Sequence, residues 1–310
     1  MPKPFGPLSL WEVSTLKIIL SRKGFDSQYG GKPSPIFPDG RALCLPIPTS
    51  ARSPVDFGDV QYAGRSIGLL VEQLTQGAVS ADRRCHLDPD LDATSLPRPD
   101  GWKPAFGQVG AAQSHLERQG VGPGDLFLFF AWFRKVEPDP RGGWRYVRGA
   151  RDVHQLYGWL QIDKILRVGS NVEAARERWP WLAGHPHVNG VWNSSNTIYT
   201  ATNRLSLAEA PVDLPGGGCF QSDNETLVLT DPKARTRSIW RLPSWFLPNN
   251  GTPRLTYHGN PTRWTRGGDW VILKTVAKGQ EFVFDIAGSP QAFRWLVRLF
   301  TGERPDADQL

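Results

Sequence analysis

The chain has 310 residues, 39% of them hydrophobic, with 32 glycines and 27 prolines; it can bury a sizeable core and is too apolar to stay disordered. No stretch approaches twenty consecutive apolar residues, which excludes a membrane-spanning helix, and Cys44, Cys85 and Cys219 are too few and too dispersed for a disulfide framework or a CxxC metal pair, which points to a reducing cytoplasm. The net charge of +6 is modest, but 26 arginines against 10 lysines favour bidentate phosphate contacts, a bias that a G+C-rich genome also produces.

Residues 1–15 carry one lysine and no continuous apolar core, so they read as an extension rather than a signal peptide. The apolar run Leu16–Leu20 predicts a buried strand that stops abruptly at Ser21, Arg22 and Lys23. In open α/β sheets ligands bind at the C-terminal mouths of strands. The loop that follows holds Asp26, Ser27, Tyr29, Gly30-Gly31 and three prolines before a second strand expected over 41–47; its stiffness marks it as functional. The competing reading is a surface turn in which Asp26 bonds its own backbone.

Helical spacing predicts a helix over 66–76, closed by Gly77. In CHLDPDLD, Asp88, Asp90 and Asp92 alternate beside His86; such a cluster could hold a divalent ion, but Asp-Pro-Asp is also an ordinary turn, so Asp88 is read as a nucleotide-facing carboxylate and no metal is expected. A helix is expected over 107–119, its glycine-rich start aiming N–H groups at an anion, with Gln108, Gln113 and His115 nearby. The continuous apolar run Asp125–Arg134 predicts a central strand and 154–168 a neighbour, with Trp144 and Tyr146 at the tip of a hairpin between them. A helix over 172–182 precedes a polar loop with His185, His187 and Asn193; His185 and His187 could share a metal but read better as satisfied loop histidines.

From 232 to 268 there are seven cations and no acid: Lys233, Arg235, Arg237, Arg241, Arg254, Arg263 and Arg266. This stretch alone accounts for the positive balance. Interleaved Trp245, Tyr257 and His258 make it a candidate clamp for a nucleotide strand. The alternative is a sheet whose aromatics face the core and whose arginines cover the solvated face. Paired strands over 269–276 and 281–286 and a helix from Ser289-Pro290 to Phe300 complete one integrated domain, 16–303, ahead of a loose tail, 304–310. The expected fold is mixed α+β, a central mixed sheet with flanking helices. No phosphate-binding glycine loop or nucleophile elbow occurs, so no cofactor is expected.

Several blocks stand in order: SRKGFDS at Ser21, GGKPSPIFPDG at Gly30, HLDPDL at His86, GAAQSHL at Gly110, GDLFLFFAWFR at Gly124 and LTYHG at Leu255. Together they resemble the third family of nucleotide modification associated domains over 16–299. The resemblance implies work on modified bases in DNA, in phages or antiphage loci, including glycosylases of bulky modified cytosines. The strand pair around Gly124 and Tyr157 also resembles PUA-like domains, which implies a barrel portion with an aromatic base pocket.

The expectation is therefore a monomeric antiviral DNA glycosylase that hydrolyses the N-glycosidic bond of a glucosylated hydroxymethylcytosine-like base. Asp26, then Asp88, would be the catalytic carboxylate; Ser21, Tyr29, Gln108, Gln113 and Asn193 would contact base or sugar, and Arg22 and Lys23 flanking phosphate or an appended sugar. The alternatives are a non-catalytic reader of modified bases and an enzyme that installs or tailors the modification.

Overall fold

The computed structural model describes residues 16–50, 53–207, 212–221, 224–248, 254–276, 279, 281–286 and 289–302; the expected extension 1–15 and tail 304–310 lie outside them. The strands are β1 (Lys17–Arg22), β2 (Ser34–Ile36), β3 (Ile47–Pro48), β4 (Gln61–Tyr62), β5 (Arg65–Ser66), β6 (Cys85–His86), β7 (Ala105–Gln108), β8 (Leu126–Pro138), β9 (Trp144–Tyr146), β10 (Val153–Arg167), β11 (Thr197–Ala201), β12 (Gly217–Cys219), β13 (Ile239–Pro243), β14 (Trp264–Gly267), β15 (Trp270–Lys274) and β16 (Glu281–Asp285). The α-helices are α1 (Gly68–Thr75), α2 (Gly110–Arg118), α3 (Val172–Arg178) and α4 (Pro290–Thr301).

The fold is mixed α+β. Its main sheet runs β16-β1-β8-β10-β11-β7, with β2 and β9 added to β8 and β12 to β10. β1 lies parallel to β8 and antiparallel to β16. Side chains alternate across this sheet. Ile18, Leu20, Leu128 and Phe130 face a core shared with Trp240, Phe282 and α4; Ile19, Phe127 and Phe129 face another shared with Phe106, Tyr199 and Leu116 of α2. Because both faces of β8 are covered, its sequence is continuously apolar, as the sequence predicts.

Several expectations change. The PUA-like barrel does not form: the sheet is open, since β16 pairs only with β1 and β7 only with β11 along the path. The strand expected over 41–47 is replaced by β2, which adds parallel to the far end of β8, an edge position that tolerates Pro35. Gly107 and Gln108 belong to β7, and the helix starts only at Gly110, whose N–H donates to Ser195 Oγ at 2.7 Å. Pro180 cuts α3 at Arg178 and begins a separate 3₁₀ turn, lacking the N–H the α-helix would need. Trp144 and Tyr146 are not at a free tip: Trp144 packs edge-on against Phe37, and the Tyr146 hydroxyl donates to the Pro33 carbonyl.

β15 and β16, expected as partners, belong to different sheets. β15 sits between β13 and β14, while β16 lies beside β1. The final helix matches its signals: the Ser289 side chain caps Ala292 N, Pro290 opens the helix and Gly302 closes it with φ of 70°.

Candidate functional site

β1 ends at the C-terminal mouth of its parallel pairing with β8, and the alternation of its side chains divides the polar cluster. Lys23 turns towards the Phe106 side, its Nζ 4.5 Å from the ring centroid. Its ammonium donates to Glu281 Oε1 at 2.8 Å, and Gln108 Nε2 donates to the same oxygen at 2.6 Å. Both side chains of the pair are withdrawn from water, 10% exposed for Lys23 and 1% for Glu281. Arg22 turns the other way and donates to the Gly279 carbonyl.

Beside Lys23 lies a pocket of about 180 Å³ lined by Asp26, Tyr29, His86, Asp88 and His187. Asp88 Oδ1 accepts from Gly107 N at 2.8 Å and lies 3.4 Å from His185 Nε2. Its Oδ2 lies 3.6 Å from His86 Nε2 and 3.5 Å from His187 Nε2. Burial would raise the Asp88 pKa, yet the imidazoles of His185, His187 and His86 hold it well below the usual carboxylate range. His187 is locked from three directions. Trp192 stacks on it at 4.2 Å, its Nδ1 lies 2.6 Å from Asn196 Oδ1, and Gly107 leaves room for the ring, since a Cβ there would come within 2.2 Å of it. Ligand atoms of His86, Asp88 and His187 all lie within 4.8 Å of one another, the spacing of a metal-binding set, where the sequence reading expected none.

A groove of about 1170 Å³ adjoins this pocket, lined by Arg22, Asp26, Arg134, Arg151, Arg235 and Arg237. Arg22 and Asp26 line both spaces. Asp26 Oδ1 accepts from Gln28 N and Tyr29 N, each at 2.7 Å, so the self-capped turn and the site-lining carboxylate coexist. Arg237 donates to Ser27 Oγ at 3.0 Å and lies 4.1 Å over the Trp132 ring, which ties the basic segment to the loop after β1.

His154, at the floor of the groove, accepts a hydrogen bond from Trp240 Nε1 on its Nδ1. Burial, reinforced by Arg237 and Arg22, pushes its pKa down to about 3. An unfolded histidine titrates near 6.5, so below that pH the unfolded chain takes up a proton that the folded one refuses. Stability is thus fully present above about pH 6.5 and is lost on acidification towards pH 3, by at most ~1.4 kcal/mol per pH unit from this group. His154→Gln, which keeps an acceptor for Trp240, is expected to flatten the fall in urea midpoint between pH 7 and pH 5. Parallel profiles for both proteins would assign the acid sensitivity elsewhere.

Of the remaining sequence-derived site residues, Tyr29 and Gln108 line the pocket and the others are dispersed. Tyr29 is exposed at the pocket rim, and Ser21 is fully buried, with no partner for its hydroxyl among the described residues. Gln108 is occupied with Glu281 and Val109 N, and Gln113 with Glu117 and the Tyr199 hydroxyl. Asn193 is exposed and caps Ser195. Trp245 packs in the core between Phe246 and Trp295, while His258 is fully buried and braces Thr256 O and Val276 N. Tyr257 packs against His115, the ring centroids 4.6 Å apart and the planes tilted by 40°. Arg241 lies over Trp270 on the outer face of the three-stranded sheet, Arg263 binds the Lys274 and Thr275 carbonyls, Arg254 is half-buried and Arg266 is exposed on β14. Trp245, Tyr257, His258, Arg241, Arg254, Arg263 and Arg266 line neither the pocket nor the groove.

Glu281, Arg134 and Arg151 escaped sequence reasoning. An acid directly continuous with the apolar run Phe282–Phe284 is the available signal for Glu281: its neighbours are all buried, and it is drawn out of water with them.

No curated protein and no solved structure matches the chain. The model of the family described as Nucleotide modification associated domain 3 matches residues 17–285, from the first residue of β1 to the last of β16, and so takes in the pocket, the groove wall and every strand that shapes them. With that span covered, the chain belongs to the Nucleotide modification associated domain 3 family.

Proposed function

We propose that the chain hydrolyses the N-glycosidic bond of a bulky modified base in DNA, of the kind phages carry, and leaves an abasic site. The observation that carries this reading is the shared wall: Arg22 and Asp26 border both the basic groove and the acid-bearing pocket. A strand held by its phosphates in the groove can swing one nucleotide into the pocket, as chemistry on a base within a duplex requires. Asp26, at the junction, stands where the sugar of that nucleotide would pass. Its carboxylate opposes the positive charge that develops on the sugar as the base departs and orients the attacking water. The hydroxyl of water joins C1′, and its proton leaves with the base. Lys23, fixed by Glu281 and backed by Phe106, offers its ammonium to the base's polar edge or to an appended sugar.

Purified protein incubated with DNA carrying modified or unmodified cytosine should give alkali-labile abasic sites only in the modified DNA. Tight, modification-dependent binding without such sites would establish a reader instead. The groove makes a separate prediction. In the double variant Arg235→Ala and Arg237→Ala, affinity should fall for every DNA sequence alike, and the slope of log K against log salt should become shallower by about 2, one for each lost phosphate contact. Fluorescence anisotropy across a salt series measures this, and an unchanged slope would move the DNA off the groove.

A further inference from the structure

We propose that His86, Asp88 and His187 bind one divalent first-row transition ion, of the zinc or iron(II) class, at the wall of the pocket. The inference deepens the reading of that pocket and rests on it only for what the ion would act upon. Three observations point to a cation.

The first is distance. Charge-assisted hydrogen bonds between imidazole and carboxylate span about 2.7–2.9 Å, but His86 Nε2 and His187 Nε2 stand 3.6 and 3.5 Å from Asp88 Oδ2. An ion with bonds of about 2.0–2.1 Å in tetrahedral geometry sets its ligand atoms about 3.3–3.4 Å apart. The observed separations are too long for the first spacing and lie just beyond the second.

The second is the orientation of His187. Asn196 Nδ2 donates to the Gly169 and His187 carbonyls, at 3.2 and 2.8 Å, which leaves its Oδ1 as an acceptor. His187 Nδ1 is therefore the donor in their 2.6 Å bond, which leaves Nε2 as the ring nitrogen directed at Asp88 Oδ2 and available as a ligand. A ring N–H held by an amide or carbonyl oxygen is also the usual outer support of a metal-bound histidine.

The third is division of labour on Asp88. Gly107 N–H anchors Oδ1. His185 accepts His187 N–H on Nδ1, so its Nε2 carries the proton; that nitrogen is buried, lies 3.4 Å from Oδ1 and has no hydrogen-bond partner among the described residues. Oδ2 is left to the two imidazoles of the proposed set. Two histidines and one carboxylate is a ligand set of catalytic zinc and non-haem iron(II) sites, which keep coordination positions open. All three residues line the pocket, so those positions face whatever enters it. A bound ion there would supply Lewis acidity to an oxygen of the substrate.

The test is metal content of the protein as purified, by inductively coupled plasma mass spectrometry, followed by chelation and titration with Co²⁺ read by visible d–d absorption. One equivalent is expected, with a rise in Tm on adding Zn²⁺. Asp88→Asn and His187→Ala should abolish the Co²⁺ spectrum while retaining the far-UV circular dichroism of the fold, and Asn196→Ala should weaken binding about 10–100-fold. Should either ligand variant fail to fold, His86→Ala and the milder Asn196→Ala serve in its place, and His115→Gln should bind as wild type. Folded wild-type protein that binds no Co²⁺, or ligand variants that bind it unchanged, would overturn the site. Base release by a protein that binds no ion overturns the ion and leaves the hydrolysis reading intact; an ion bound at one equivalent without base release does the reverse.

Discussion

Lys23→Met should destabilise the fold by about 3–5 kcal/mol, the cost of leaving one member of a buried ion pair uncompensated. Glu281 is almost wholly shut off from water, and Lys23 forms the salt bridge to it, with Gln108 adding only a neutral donor to the same oxygen. Desolvating a carboxylate is tolerable while an ammonium stands 2.8 Å away and becomes expensive once it is removed. Adding Glu281→Gln should recover most of the loss, because a neutral amide has little to lose by burial. Urea unfolding of the two single variants and the double variant measures the coupling. A single-variant loss below ~1 kcal/mol would place the pair with ordinary surface salt bridges. The same Lys23→Met/Glu281→Gln protein, folded but without its ammonium, should also lose affinity for the modified nucleotide.

Asp26→Asn should lower base release by at least ~10²-fold, the usual scale for removing one preorganised electrostatic contact to a transition state. DNA affinity should stay within a few fold. The substitution isolates charge from shape: an asparagine keeps Oδ1 for Gln28 N and Tyr29 N, so the turn that positions the residue survives. Single-turnover kinetics with DNA carrying the modified cytosine separate this loss from any change in binding. Activity that survives Asp26→Asn would remove the carboxylate role from this residue.

The aromatics and cations of 232–268 show how a linear motif divides in space. Trp240 and Arg241 are neighbours in the chain, yet β13 sends one into the core and the other to the outer face. Only Lys233, Arg235 and Arg237, in the connection before β13, reach the groove, while Trp245 and His258 serve packing. Composition identified a basic, aromatic segment, but strand alternation decided which of its side chains could meet a strand of DNA. His185 and His187 were visible as a pair from their i, i+2 spacing. Their meeting with His86 and Asp88 was not, because those two lie about a hundred residues earlier in the chain, and only the placement of β7 beside β11 brings Gly107 under the His187 ring and Asp88, held by Gly107 N–H, to His187 Nε2.

What the sequence by itself determined is local: the buried apolar first half of β8, the turn held by Asp26, the Ser289-Pro290 start of α4 and the mixed α+β class; the polar stop expected after Leu20 was not, since β1 runs on through buried Ser21 to Arg22. These follow from side-chain periodicity, capping and turn chemistry, whose partners lie within a few residues of one another. Tertiary structure alone decided that the sheet stays open, that Lys23 meets Glu281 across 258 positions, and that three histidines converge on Asp88. Such convergence depends on strand order and register, which are set by how whole faces bury against one another, and no short window of residues carries that information.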